Sequence, residues 1–436
     1  MKRLFEDKLM KWKMSDNKKP LMVLGVRQIG KTYTIHKFCK ENFEECLYFN
    51  LEQDRHIFEI FEESIEPDEI LKNIELKIDK KIDLSKTVFF FDEIQVSEKF
   101  IVSLKYFCES DKPYKIVCAG SLLGVKINRF ESSFPVGKVR MEYMYPMSFE
   151  EFLLATGKEL LIEKIRESYT QMVAMPNFLH EEAIDLYRKY LCVGGMPEAV
   201  LNFINNDLDV LEFDKKILSN IINMYIADMN KYTLSNIESV KIEKIYKNVP
   251  LQLAKENKKF RYSVLETSAT KRKYETAIDW LVASNMILPC YTILKPEIPL
   301  KVFKDENAFK LYLSDVGLLV NLSELKLNDI MLNTPFLFKG AITENYIAQE
   351  LRSKDISLYY WRNERSAEVD FLVYNADGII PVEVKANDNN MAKSLRLYVE
   401  KYNPKYSIRI TAKNFGFEND IKSIPLYAVF CLAEEL

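Results

Sequence analysis

The stretch Gly25-Val26-Arg27-Gln28-Ile29-Gly30-Lys31-Thr32 decides the fold of the N-terminal part of this sequence. It matches the phosphate-loop pattern G-x-x-x-x-G-K-S/T at every defined position. A short apolar run, Leu21-Met22-Val23-Leu24, precedes it and is typical of a buried strand, and residues 31–42 fit a helix. In this order of strand, glycine loop and helix, the backbone N–H groups and the positive end of the helix surround a phosphate group.

An acidic pair follows a second buried strand further along the chain. The run Thr87-Val88-Phe89-Phe90-Phe91 ends in Asp92-Glu93. In such a site Lys31 reaches the β- and γ-phosphates of ATP, while the Thr32 hydroxyl and Asp92, directly or through water, hold Mg²⁺. Glu93 polarises the attacking water. Together the two motifs predict that the chain binds ATP with Mg²⁺.

The composition limits the classes of protein that the chain can represent. Its 436 residues suggest about three domains, and an apolar content of 48% provides for packed cores. A net charge of −3 argues against strong non-specific nucleic-acid binding by the whole chain, although it allows a local basic patch. Seven scattered cysteines without Cys-x-x-Cys favour free thiols. No apolar run reaches membrane-spanning length and the charged start lacks signal-peptide character, so we expect a cytoplasmic protein without a membrane partner.

The pattern of apolar segments predicts an α/β fold that begins with a parallel sheet. Further buried strands are expected at 46–51 and 114–119, with a helical stretch at 56–80 between the first of these and Thr87. From about 146 to 230 the pattern is helical and charged. Helical stretches near 239–256 and 268–284, followed by extended segments near 286–294 and 309–313, have the layout of a winged-helix module.

The C-terminal part shows a helix at 340–353 and strands at 357–361, 368–374 and 379–385. A turn centred between Ala376 and Asp377 places Asp370 opposite Glu383, close enough to share a divalent cation. Lys385 leaves the same face of its strand as Glu383, because side chains alternate along a strand.

These charged groups suit metal-assisted hydrolysis of a phosphodiester. Asp370 and Glu383 would hold Mg²⁺, Lys385 would orient or deprotonate the water, and Glu344 on the preceding helix would complete the metal site. Pro381 indicates an edge or bulged position within the second strand. The competing interpretation is an ordinary cross-strand ion pair without catalytic function.

A basic helix start in the winged-helix region predicts a nucleic-acid contact. Ser268 or Thr270 would cap the helix, and Lys271, Arg272 and Lys273 would follow in its first turn. Positive charge there opposes the helix dipole but suits a helix end that approaches phosphates and base edges. The competing interpretation is a solvated helix face.

The nucleotide motifs resemble those of the AAA+ ATPases. The resemblance rests on the phosphate loop, on Asp92-Glu93-Ile94-Gln95 and on a fourth strand that ends in Ala119-Gly120-Ser121. It implies that Ser121 is a sensor residue between the acidic pair and the γ-phosphate. It also implies an arginine finger, for which Arg129 and Arg140 are both candidates. A finger that acts in trans would make the active form a homo-oligomer.

More specifically, the sequence is similar to a group of prokaryotic AAA-type ATPases related to archaeal ATPases. Tyr145-Pro146-Met147-Ser148-Phe149-Glu150-Glu151-Phe152 and Tyr190-Leu191-Cys192-Val193-Gly194-Gly195-Met196-Pro197-Glu198-Ala199 carry this resemblance, which covers nearly the whole chain. It implies an ATPase core at 1–150, a helical lid at 151–235, a winged-helix module at 236–330 and a restriction-endonuclease-like domain at 331–436. Asp370 and Glu383-Val384-Lys385 resemble the PD-(D/E)XK nuclease motif.

Two functions fit these patterns. In the first, ATP binding and hydrolysis control DNA binding and cleavage by the C-terminal carboxylates. In the second, the chain is a regulatory ATPase whose C-terminal regions bind nucleic acid or a protein without cutting. Both expect loss of ATP hydrolysis when Lys31 is replaced.

Overall fold

The computed structural model describes residues 1–121, 125, 134–233, 235–363, 367–385 and 393–436. They form two compact units. The first comprises Lys2–Tyr145 and Ala283–Asn285, and the second comprises Met1, Pro146–Val282 and Met286–Leu436. Within the described ranges, no helix combines the length and the apolar character needed to cross a membrane.

The first unit is an α/β layer structure around a five-stranded sheet. Its elements are α1 (Phe5–Lys13), β1 (Leu21–Leu24), α2 (Lys31–Asn42), β2 (Glu45–Asn50), α3 (Arg55–Glu63), α4 (Pro67–Ile78), β3 (Thr87–Asp92), a 3-10 turn (Ile94–Val96), α5 (Glu98–Glu109), β4 (Ile116–Ala119) and β5 (Arg140–Tyr143). The strand order is β2-β3-β4-β1-β5. Every pair is parallel, so the predicted parallel sheet is confirmed.

The apolar runs in the sequence explain why strands of this sheet are buried, and a proline explains why one predicted helix is two helices in the structure. β1, β3 and β4 are buried along their whole length, as expected for strands that are covered on both faces. The helical stretch expected at 56–80 is interrupted, because α3 ends at Glu63 and α4 begins at Pro67. Proline lacks an N–H group and is tolerated in the first turn of a helix but not inside it.

The second unit contains the remaining elements. These are α6 (Phe149–Ala155), α7 (Glu159–Gln171), α8 (Asn177–Val193), α9 (Pro197–Asn205), α10 (Lys216–Lys231), α11 (Asn236–Leu253), α12 (Tyr262–Leu265), α13 (Lys271–Ala283), β6 (Ile287–Ile293), a 3-10 turn (Leu300–Phe303), β7 (Lys304–Leu313), α14 (Val316–Leu322), α15 (Leu327–Met331), α16 (Lys339–Ser353), β8 (Leu358–Arg362), β9 (Glu368–Asn375), β10 (Gly378–Lys385), α17 (Lys393–Tyr402), β11 (Ser407–Thr411), β12 (Gly416–Glu418), β13 (Ile421–Pro425), a 3-10 turn (Leu426–Ala428) and α18 (Val429–Glu435).

The strands of the second unit join in one mixed sheet with the order β12-β13-β11-β10-β9-β8-β6-β7. The β6–β7 hairpin, which the sequence places in a wing, continues this sheet through parallel pairing of β6 with β8. The domain boundary expected at residue 330 therefore falls between strands of a single sheet. A winged-helix module and a separate restriction-endonuclease-like domain stay predictions.

The hairpin of β9 and β10 has the predicted register. Gly378 pairs with Asn375 and Val382 with Phe371. One further step along the same ladder places Asp370 opposite Glu383. Pro381 lies one residue before the parallel ladder with β11 begins at Val382, so the strand is an edge at that position, without a bulge in its pairing to β9.

The two segments that resemble the archaeal-type ATPases pack against each other through a glycine. Gly195 accepts a hydrogen bond from Met147 N at 2.7 Å and donates one to Asp315 Oδ2 at 2.6 Å. A Cβ atom at position 195 would lie 2.0 Å from Met147 O. Only glycine permits so close an approach of the two backbones, which explains why this position carries no side chain.

A buried carboxyl group joins α6 to α16. Glu350 is fully buried, and its Oε1 accepts a hydrogen bond from Phe149 N at 2.8 Å. Burial raises the pKa of Glu350 to about 8, with Glu150 and Glu151 acting in the same direction. The carboxyl group is therefore protonated in the folded protein at neutral pH.

This protonation predicts a pH dependence of stability. Between about pH 4.5 and about pH 8 the folded chain keeps a proton that the unfolded chain has lost, so the free energy of unfolding falls as pH rises, by up to about 1.4 kcal/mol per unit. Glu350→Gln keeps the acceptor and removes the titration. We expect its urea midpoint to fall less than that of the wild type between pH 5 and pH 8. The exposed control Glu163→Gln should follow the wild type, and equal falls in all three proteins would contradict this assignment.

Candidate functional site

The phosphate loop leaves the carboxyl end of β1, which lies between β4 and β5. Ligands of open parallel sheets bind at this edge. Gly25 has a φ of 145° and Gly30 a φ of 84°, and Gly30 directly precedes α2. A Cβ atom on Gly25 would lie 2.3 Å from Met144 O. Glycine is therefore required at position 25 by close packing and at position 30 by a left-handed backbone.

Lys31 is the cation of the loop. It is 8% exposed, and its Nζ donates hydrogen bonds to Gly25 O at 2.8 Å and to Val26 O at 2.7 Å. The ammonium group is thus held at the loop by backbone carbonyl groups. An anionic phosphate at the same place would be a stronger acceptor, because both partners would be charged.

Thr32 and Asp92 form the part of the site that suits a metal ion. The Thr32 hydroxyl donates to Asp92 Oδ2 at 2.6 Å, and Glu93 N donates to Asp92 Oδ1 at 2.9 Å. Burial raises the pKa of Asp92, and the charge of Glu93 adds to this effect. Mg²⁺ prefers oxygen ligands and binds through one or two protein groups together with phosphates and water. This pair of oxygen donors fits that requirement, and a bound cation would favour the charged form of Asp92.

A hydrogen-bonded series connects the loop with the carboxylate of Glu93. Arg27 Nε donates to Ser121 Oγ at 3.1 Å, and Ser121 Oγ donates to Glu93 Oε2 at 3.4 Å. Gln95 Nε2 donates to the same oxygen. These contacts arise because β4, which leads to Ser121, lies between β1 and β3. The structure thus brings together the predicted loop, acidic pair and sensor residue.

Sequence reasoning missed Arg3, which lies just before α1 and supports the loop. This side chain is 4% exposed, and its guanidinium donates to Ile29 O at 2.5 Å and to Tyr145 O at 2.7 Å. It ties the turn before Lys31 to the segment that follows β5. Nothing in the sequence indicates this role, because a lone arginine beside other charged residues is typical of a solvated helix face.

The structure locates one of the two candidates for an arginine finger. Arg129 lies outside the described residues. Arg140 is at the amino end of β5, level with Leu21 of β1, and its guanidinium pairs with Glu142 at 2.8–2.9 Å. It is therefore at the opposite end of the strand from the phosphate loop of its own chain, and any action on ATP would be on another copy.

The C-terminal carboxylates lie in a cluster that contains two lysines the sequence did not assign to it. Glu344 on α16 is 3% exposed; Lys258 Nζ donates to its Oε1, and the Tyr312 hydroxyl donates to its Oε2 at 3.0 Å. Lys310 is fully buried and lies 3.4 Å from Glu344 Oε2 and 2.6 Å from Glu368 Oε1. Glu368, two residues before Asp370 on β9, is therefore the ion-pair partner of a fully buried lysine.

The same cluster contains the groups predicted to hydrolyse a phosphodiester, which are Asp370, Glu383 and Lys385. Asp370 Oδ2 accepts a hydrogen bond from Val384 N at 2.8 Å, and Lys385 Nζ lies 3.0 Å from Glu383 Oε1. Burial raises the pKa of Asp370 well above its usual range, and the charges of Glu344 and Glu383 add to this effect. Burial likewise raises the pKa of Glu383, against the attraction of Lys385.

Three ion pairs compensate charges within this cluster. Burial opposes ionisation of Glu344, but Lys310 and Lys258 more than offset it and lower the pKa of this carboxyl group. When Asp370 is protonated, three carboxylates face three ammonium groups, which are Glu344, Glu368 and Glu383 against Lys258, Lys310 and Lys385. In the described part of the chain, no group of three or more His, Cys, Asp or Glu side chains is arranged to hold a metal ion.

At the start of the predicted nucleic-acid helix, two of the three basic side chains have acidic or polar partners in the structure. α13 begins at Lys271, so Thr270 and not Ser268 directly precedes it. Lys273 pairs with Glu266, and Lys271 donates to Asn307 Oδ1 at 3.0 Å. Arg272 forms no ion pair with any described residue, so it is the cation of this helix start with the most freedom to meet a phosphate.

Three family models match the chain. Residues 17–153 match the model described as AAA domain, so the first unit is defined as an AAA-type domain with a P-loop. Residues 184–329 and 339–429 match two models described as domains of unknown function, DUF8612 and DUF4143. No curated protein matches the sequence.

Several solved structures match the chain. A Walker-type ATPase of Pyrococcus abyssi has 14% identity and a TM-score of 0.45, and the match covers 74% of this chain and 95% of that one. The ORC2 protein of Aeropyrum pernix, in ADPNP-ADP complexes, has 10% identity and a TM-score of 0.40 over 78% and 94%. The RuvB Holliday junction branch migration motor of Thermotoga maritima has 12% identity and a TM-score of 0.31 over 66% and 89%.

Proposed function

We propose that the chain is a Mg²⁺-dependent ATPase whose nucleotide state regulates the engagement of a nucleic acid by its second unit. The observation that supports it most is the arrangement at the carboxyl edge of the parallel sheet. There Thr32 is bonded to Asp92, and Arg27, Ser121 and Glu93 form one hydrogen-bonded series. The match to an AAA domain over residues 17–153 supports the same assignment.

The proposed reaction assigns a distinct role to each side chain. The loop backbone and Lys31 bind the β- and γ-phosphates, and Thr32 and Asp92 hold Mg²⁺, which neutralises charge on the phosphates. Glu93 accepts a proton from the water that attacks the γ-phosphorus, as the bond to the leaving ADP oxygen breaks. Ser121 and Gln95 hold one oxygen of Glu93, which fixes the orientation of the carboxylate.

The proposal of a nucleic-acid partner rests on Arg272 at the start of α13 and is tested by the rate of ATP hydrolysis. We expect DNA to raise phosphate release several-fold at low salt and less at higher salt, because phosphate contacts weaken with ionic strength. Arg272→Gln should reduce this stimulation, and the exposed control Lys301→Gln should not. If neither single- nor double-stranded DNA changes the rate, the nucleic-acid partner is wrong while the ATPase assignment stands.

For the C-terminal cluster, the structure supports the non-cleaving function better than cleavage. Lys258 and Lys310 already satisfy Glu344, the residue expected to complete a metal site. A buried ion pair of this kind resists the loss of one partner, since an unpaired charge would remain. Cleavage remains a second candidate because Asp370 lies opposite Glu383 with Lys385 beside it.

A nuclease assay distinguishes these two functions. Wild type, Asp370→Asn, Lys385→Ala and Lys258→Met are incubated with DNA and Mg²⁺ or Mn²⁺, with and without ATP. We expect no cleavage by the wild type above the level of Asp370→Asn in any of these conditions. Divalent-dependent cleavage that disappears in Asp370→Asn and Lys385→Ala would establish the second candidate. A gain of such cleavage in Lys258→Met alone would show that this lysine blocks a competent metal site.

A further inference from the structure

A pocket in the second unit belongs to neither the nucleotide site nor the carboxylate cluster. It is lined by α8, by the segment that follows α15 and by α16, and its space of about 490 Å³ includes the open solvent at its mouth. Most of the lining is apolar, including Ile184, Leu191, Ile342 and Leu426.

Two cations stand at this apolar pocket without an acidic residue in its lining. Arg188 and Lys339 are among the lining residues, and none of the others is Asp or Glu. Arg188 forms no ion pair with any described residue, and Lys339 Nζ donates to Asn333 Oδ1 at 2.5 Å. Burial lowers the pKa of Lys339, and the charge of Arg188 adds to this effect. The two groups therefore repel each other in the free protein, and an anion between them would relieve this repulsion.

Two residues with hydroxyl groups also line the pocket, Tyr187 and Thr343. The Tyr187 side chain is 4% exposed, and its hydroxyl interacts with the Thr343 side chain. These hydroxyl groups add polar atoms to a lining that is otherwise mostly apolar.

We propose that this pocket binds a small anionic amphiphile, namely a carboxylate that carries an apolar chain or ring. The carboxylate accepts hydrogen bonds from Arg188 and Lys339, and the apolar part covers Ile184, Leu191 and Ile342. A neutral apolar molecule would leave the two cations facing each other. A simple inorganic anion would leave the apolar lining in water. Only the combination of both parts satisfies the charges and the apolar surface together.

The fluorescent probe 8-anilinonaphthalene-1-sulfonate, which joins an anion to an apolar body, tests this site on the full chain. We expect it to bind and to be displaced by octanoate, but only weakly by octanol, which lacks the charge, or by acetate, which lacks the chain. Arg188→Gln and Lys339→Gln should each weaken octanoate binding about tenfold, as the loss of a charged hydrogen bond implies. Both side chains are only partly buried, so these variants should fold.

Lys189→Gln is the matched control. Lys189 follows Arg188 on the same helix, pairs with Asp185 at 3.0 Å and does not line the pocket. We expect it to bind octanoate as the wild type does, and all variants should keep the wild-type melting temperature. Equal displacement by octanol and octanoate, unchanged binding in Arg188→Gln, or no displacement by octanoate would each overturn the proposal.

Discussion

Glu93→Gln is expected to slow ATP hydrolysis by about 10²–10⁴-fold, the usual contribution of a general base, while the affinity for Mg²⁺-ATP stays close to that of the wild type. Glutamine keeps the size of the side chain and can still accept from Ser121 and Gln95, which hold Oε2 in the native protein. It loses the charge that accepts a proton from water. Hydrolysis is measured as phosphate release, and affinity is measured with a fluorescent ATP analogue.

Glu98→Gln is the control for this prediction. Glu98 is an exposed acid in the first turn of α5, a few residues further along the chain. It should hydrolyse ATP at the wild-type rate. If Glu93→Gln and Glu98→Gln both retained full activity, Glu93 would not act on the attacking water. A parallel loss of ATP binding in Glu93→Gln would indicate a structural role instead.

Lys31→Met is expected to weaken ATP binding by about 10–100-fold, because a charged hydrogen bond to a phosphate contributes about 1.5–3 kcal/mol. Methionine preserves much of the length of the side chain but has no donor for the β- and γ-phosphates. The same replacement removes the donor to Gly25 O and Val26 O, which helps to shape the loop. The dissociation constant of ATP is measured by titration calorimetry in the presence of Mg²⁺.

Lys40→Met on the same helix serves as the control. Lys40 is exposed near the end of α2, away from the loop. Its variant should bind ATP as the wild type does. Similar dissociation constants for Lys31→Met and the wild type would place the nucleotide elsewhere. A melting temperature for Lys31→Met near that of the wild type would show that the loss reflects phosphate binding and not unfolding.

Local patterns in the sequence predicted much of the nucleotide site. The helix expected at 31–42 has the expected bounds, and the strand expected at 87–91 extends one residue further, to Asp92. These predictions succeed because the residues that form a buried parallel strand or a phosphate loop are adjacent in the sequence. The register that places Asp370 opposite Glu383 could be predicted for the same reason, since a short turn fixes the pairing of its two strands.

Contacts between distant segments could not be predicted. The bond between Arg27 and Ser121 depends on β4 lying beside β1, and the sequence does not state the strand order. Arg3 reaches the loop only after α1 has packed. The lysines at 258 and 310 look like surface charges in the sequence, yet the fold places both beside Glu344 and buries Lys310 completely.

Four strands were not assigned from the sequence, namely β5, β11, β12 and β13. β5 is an edge strand of the first sheet, and β12, β13 and β11 form one side of the second sheet, with β12 at its edge. These segments are short and carry charges, so the alternation of apolar and polar residues is weak in them. For the β6–β7 hairpin, both strands were expected from the sequence. The parallel pairing of β6 with β8 was not expected, because it joins segments that are far apart in the chain.

Steady-state release of phosphate from ATP by the wild-type chain is the decisive measurement for the proposed ATPase. The rate is measured with Mg²⁺ at an ATP concentration below the wild-type KM, again after EDTA, and beside Lys31→Met and Glu93→Gln prepared in the same way. We expect turnover by the wild type that requires Mg²⁺ and that falls about tenfold or more in both variants. Equal rates in all three proteins, or a wild-type rate that EDTA does not change, would contradict the proposal.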